Sequence, residues 1–112
     1  MTNDYTGAHR ILRERERQVW DEGWSDEHDD QHFRGEMAIA GACYACHAAT
    51  FPYRADIQAY RNAPPPPDWP WEAKWWKPRQ PQHDLVRAGA LIAAEIDRIE
   101  RSIVARVSVC QG

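Results

Sequence analysis

The stretch QHDLVRAGALIAAEIDRIERSIVA, residues 82–105, decides the fold class. Leu85, Gly89, Ile92, Ile96, Ile99 and Ile103 recur at helical intervals, while Glu95, Asp97, Arg98, Glu100 and Arg101 occupy much of the remainder. The spacing predicts an amphipathic helix with an apolar seam turned towards a core. Pro81 suits its first turn, and Asp84 complements the positive end of its dipole. The segment VARVSVCQG that follows reads as a loosely packed tail.

Upstream, residues 8–22 place Ile11, Leu12, Val19 and Trp20 at helical spacing among Arg and Glu, with Gly23 as a stop. Ser25 is a cap for a second unit over 25–51, an acidic turn leading into a central helix, with Gly35 as a kink or boundary and the main helix over residues 35–50. There Met37, Gly41, Tyr44, Ala48 and Phe51 share a stripe, with small residues between them that permit close helix approach. Phe51-Pro52 predicts its end.

Residues 52–81 break the pattern. Pro64 to Pro67 cannot continue a helix and predict extended backbone. Trp69, Trp71, Trp75 and Trp76 then crowd into eight residues. Four exposed indoles would be an aggregation liability, so this segment reads as an ordered lid across the helices. The expectation is an all-α single domain: a small bundle of three main helices with an irregular Pro/Trp-rich lid.

The chain has 112 residues and a formal charge of -3, which argues against general nucleic-acid binding. Its charge is uneven: residues 1–36 hold ten acids against five Lys/Arg, residues 54–79 five Lys/Arg against three acids. No apolar run is long enough to span a membrane, and the first residues carry no secretion-type core, so a cytosolic protein is expected. Amphipathic helices of this size bury limited area alone, which predicts a homo-oligomer.

Three stretches carry candidate chemistry. Cys43-Tyr44-Ala45-Cys46-His47 has the C-x-x-C-H spacing of covalent haem attachment. That chemistry also needs export and a second axial ligand, and three cysteines in a cytosolic chain suit packing better. Haem is therefore not expected. In Glu27-His28-Asp29-Asp30-Gln31-His32 with Glu36, a helix would place His28, His32 and Glu36 on one face. Such a set suits ligand or metal binding; helix capping by the acids is the plainer alternative. Trp75 and Trp76 beside Lys77 and Arg79 combine indole faces for stacking with cations for phosphate. Arg87 adds a third cation on the last helix, although local pairing with Asp84 is the default there.

The blocks EGW, EHDDQH, ACYA, WPW, WWKP and DLVRAGALI, in that order from about Arg13 to Arg101, resemble a family of short proteins encoded by bacteriophages and prophages. The resemblance implies an accessory protein in a host bacterial cytoplasm. A looser similarity is to the all-α MazG-type nucleotide pyrophosphohydrolases, whose paired acidic motifs hold Mg²⁺ on a triphosphate, although their E-x-x-E pair is not present in that form. Three functions follow as expectations. The first is capture of a nucleotide-like ligand, such as a host defence signal, by His28, His32, Trp75, Trp76, Lys77, Arg79 and Arg87. The second is Mg²⁺-dependent hydrolysis with Glu27, Asp29, Asp30, Glu36 and Asp84 as metal ligands. The third is binding of a host protein through the acidic N-terminal surface.

Overall fold

The computed structural model describes residues 6–54 and 56–111. Every regular element among them is helical: α1 (Gly7–Trp20), α2 (Asp26–Asp30), α3 (Glu36–Ala48), α4 (Phe51–Arg54), α5 (Ile57–Arg61), a 3₁₀ turn (Ala73–Trp75) and α6 (Pro81–Gln111). No described helix is long and apolar enough to cross a membrane.

The helix α6 is the spine, and α1 and α3 both pack against it. Both run antiparallel to it: Gly35 lies beside Glu95 and Gly41 beside Ala88, while Ile11 lies on Gly89. The α3–α6 crossing is tight because both faces are small. A Cβ on Gly41 would sit 3.0 Å from the Ala88 carbonyl oxygen and 3.2 Å from Ile92. Met37, Ala40, Cys43, Tyr44, Trp76, Ala88, Leu91 and Ala94 form the core.

Local signals fix the helix ends. The Thr6 hydroxyl accepts the His9 N–H, and the Ser25 hydroxyl accepts the His28 N–H, each at 3.2 Å. Gly23 and Gly35 both adopt positive φ, which L side chains resist. Gly23 lets the Trp24 N–H close back on the Gln18 carbonyl after α1. Gly35 separates α2 from α3.

The unit over 25–51 divides at Gly35, the boundary expected there, into α2 and the central helix α3. The structure differs from the sequence expectations in four places. Within the expected lid, residues 51–54 and 57–61 are helical. The backbone of α6 continues as helix to Gln111 instead of loosening after residue 105. Most consequentially, the seam of α6 faces outward. Leu85, Ile92, Ile96, Ile99 and Ile103 are 43–54% exposed, whereas Asp84, Ala88, Leu91, Ala94 and Glu95 are buried. The close crossing opposite Gly41 centres on Ala88 and Leu91, with Ile92 at its edge, which turns the rest of the isoleucine row away from α3. Glu95, expected on the solvent side, is buried and ion-paired with Arg98. A similar exchange occurs in α1, where Trp20 and Leu12 are exposed and the buried position is Gln18.

Candidate functional site: a cleft between α1, α6 and the tryptophan segment

The segment 63–79 is fastened to the helices by two aromatic clamps. Tyr44 of α3 stacks on Trp76, with ring centres 4.8 Å apart, and meets Trp69 edge-on at 5.5 Å. Its hydroxyl accepts the Lys77 backbone N–H at 3.1 Å and donates to the Trp75 carbonyl at 3.4 Å. The Trp76 indole N–H donates to the Ala63 carbonyl at 3.0 Å. The second clamp is Tyr60 of α5. It is fully buried, stacks on His47 at 4.2 Å, and donates to Asp84 at 2.6 Å. Asp84 also accepts the Arg79 backbone N–H at 3.1 Å, which fixes the chain just before α6.

Fastened in this way, the segment leaves a cleft of about 890 Å³ against α1 and α6. That lies within the usual range of small-molecule sites, roughly 300–1,000 Å³. One wall is a ladder of rings. Trp24 stacks on His28 at 5.2 Å, His28 meets His32 at 5.1 Å, and His32 meets Trp71 at 5.4 Å. Lys77, Arg79, His83 and Arg87 also line the cleft, together with the acids Glu14, Glu22 and Glu72.

Arg87 lies over the Tyr44 ring at 4.7 Å and donates to the Lys77 carbonyl at 3.1 Å. Its second nitrogen is 3.1 Å from His83 Nε2. Burial, then the charge of Arg87, lowers the pKa of His83, which favours the neutral ring that can accept from the guanidinium. Lys77 Nζ lies 5.6 Å from the centre of the Trp75 ring. Among the described residues, no ion pair joins Lys77, Arg79 or Arg87 to a carboxylate. Arg17, at the rim, is different: it binds Glu14 and Glu22, each at 2.8 Å. Partial burial pushes the Glu14 carboxyl up, but the Arg17 guanidinium outweighs that and leaves it below its ordinary value.

Six of the seven expected ligand residues therefore line one cleft: His28, His32, Trp75, Lys77, Arg79 and Arg87. Trp76 does not, being buried in the core. His28 and His32 come together although α2 ends at Asp30, because the turn after it keeps the rings adjacent. His32 Nδ1 also lies 3.4 Å from Glu36. Partial burial raises the Glu36 carboxyl, but backbone hydrogen bonds at Arg34 and Glu36, and that from His32, hold it below its ordinary value.

The five acids expected to hold Mg²⁺ do not converge. Asp29 is buried against Arg15 at 2.7 Å, Asp30 binds Arg101 at 2.8 Å, and Asp84 binds Tyr60 rather than Arg87. Glu36 faces His32, and Glu27 is exposed. Among the described residues no three His, Cys, Asp or Glu side chains form a metal-binding group. In the C-x-x-C-H stretch, Cys43 is buried as packing predicts, whereas Cys46 is exposed. His47 donates from Nε2 to the Tyr60 carbonyl at 2.8 Å, so its ring is committed to holding α5.

Sequence reasoning missed Gln18, Trp24, Tyr44 and His83 as cleft residues. Gln18 stands two helical turns after Ile11, the one signal that it shares the inward face. Its Oε1 is buried without a hydrogen-bond partner, as is the Trp71 indole nitrogen. Both residues line the cleft, but these two atoms are sealed beneath its surface. No protein-family model, curated protein or solved structure matches the chain, so the cleft is interpreted from its own geometry.

Proposed function

We propose that the cleft captures a nucleotide-like anion and holds it intact. The observation that carries this reading is a shared lining: three cations with no carboxylate partner among the described residues line the same cleft of about 890 Å³ as a ladder of indole and imidazole rings. Lys77, Arg79 and Arg87 meet phosphate; the Trp24–His28–His32–Trp71 ladder and the half-exposed Trp75 offer faces to a base.

Capture is favoured over hydrolysis because the acidic stretch is spent on Arg15, Arg101 and the α2 cap, and among the described residues no three His, Cys, Asp or Glu side chains form a group to organise Mg²⁺ on a phosphate. The setting that suits such a protein is the one implied by its resemblance to short phage and prophage proteins. In a host bacterial cytoplasm, a sequestering protein withdraws a nucleotide signal from a defence pathway. The test is to purify the protein from a bacterial lysate, denature it by heat and analyse the supernatant by mass spectrometry. An intact nucleotide recovered in proportion to protein supports capture. An empty supernatant, together with no binding of adenosine and guanosine 5′-triphosphates, 3′,5′-cyclic nucleotides or cyclic dinucleotides, rejects it.

A further inference from the structure

The outward seam of α6 has a regular spacing. From Leu85 the positions run through Gly89, Ile92, Ile96, Ile99 and Ile103 in alternating steps of four and three, the a/d repeat of a helical supercoil. Scattered exposed apolar residues are ordinary, but a continuous row of half-exposed isoleucines marks an unfinished interface.

The rest of the fold covers this row only towards its start, where Ile11 sits on Gly89 and Gly41 lies beside Ile92. With 31 residues, α6 is about 46 Å long. The start of α3, at Gly35, lies beside Glu95, and a Cβ on Gly7, at the start of α1, would meet nothing within 4 Å. Past Arg98, α2 reaches α6 through Asp26 and Asp30 to Arg101.

We propose that a second copy of the chain covers this seam, α6 against α6, antiparallel about a two-fold axis. The sequence is self-complementary in that orientation. Ile96 faces the partner's Ile99 and Ile92 faces the partner's Ile103, so two pairs of equivalent layers close on themselves. Glu95, buried and paired with Arg98, is turned away from the seam, so the exposed flanking acid is Glu100, which the antiparallel pair sets against Ala93 of the other chain. The cleft face of α6, at His83, Arg87 and Leu91, lies about 160° around the helix from Leu85, Ile92 and Ile96. Dimerisation therefore stands or falls separately from ligand capture.

Sedimentation equilibrium reads the outcome. The wild-type chain is expected at twice 13.0 kDa, and Ile96→Lys and Ile99→Glu each at 13.0 kDa with unchanged helical circular dichroism. Mixing the two variants should restore the dimer. In the antiparallel pair the new lysine meets the new glutamate in one layer while the other layer keeps its two isoleucines. A wild-type mass of 13.0 kDa at tens of micromolar would mean that some other molecule owns the seam, and would overturn the proposal. Failure of the mixed variants to recombine, with each folded, would overturn the antiparallel pairing.

Discussion

The Tyr60 hydroxyl donates a 2.6 Å hydrogen bond to the fully buried Asp84 carboxylate, tying α5 to the first turn of α6. Burial, reinforced by that carboxylate, raises the pKa of the Tyr60 hydroxyl well above the usual phenol range. Tyr60→Phe keeps the ring against His47 but leaves the Asp84 carboxylate short of a donor. A loss of about 1.5–3 kcal/mol is expected in urea denaturation, the scale of a hydrogen bond to a charged group.

Gly41 sets the distance between α3 and α6. Gly41→Ala forces a methyl against the Ala88 carbonyl oxygen, 3.0 Å away, and backbone yields less readily than side chain. The expected cost is about 1–3 kcal/mol, against a helix-propensity gain below about 1 kcal/mol, so the net change is destabilising. A raised melting temperature for Gly41→Ala would show that the crossing is looser than described.

His83 gives the fold a pH dependence whose sign follows from its lowered pKa. The unfolded chain binds the proton first as pH falls, so the stability His83 contributes is present above its unfolded value. It is lost as pH falls through the lower folded value. Wild-type protein should therefore lose stability below about pH 6.5 more steeply than His83→Gln. Parallel stability–pH curves for the two proteins would contradict this.

Arg87 and Arg79 should matter to ligand more than to fold. Arg87→Gln and Arg79→Gln each remove one charged donor from the cleft. They should weaken nucleotide binding by about 10- to 100-fold in calorimetry, the equivalent of about 1.5–3 kcal/mol. Binding that survives both substitutions together would place the phosphate elsewhere.

The helical class and much of the cleft were legible in the sequence for physical reasons. Periodicity reports amphipathic helices directly, and four-residue spacing brings His28 beside His32 whether or not the helix continues. Lys77, Arg79 and Arg87 were visible as cations near the start of one helix. Facing was harder to read. The isoleucines of α6 look like a core from their size, yet the tight crossing at Gly41 centres on Ala88 and Leu91 instead. Partners distant in the chain left no local trace: Asp29 binds Arg15, Asp84 binds Tyr60, and Asp30 binds Arg101. Each of those contacts removes a carboxylate that seemed free for metal. The tryptophan cluster was likewise divisible only in three dimensions, with Trp76 in the core and Trp75 half exposed.

The indole N–H signals of the six tryptophans give the most direct test of capture in the cleft. In ¹H–¹⁵N spectra, titration with the nucleotide recovered from the purified protein should move the signals of Trp24, Trp71 and Trp75, which line the cleft. Trp20, exposed on α1, and Trp76, in the core, should stay in place, and the ³¹P spectrum should show the nucleotide unchanged. Shifts confined to Trp20 and Trp76, or phosphorus signals of hydrolysis products, would contradict capture of an intact ligand at this site.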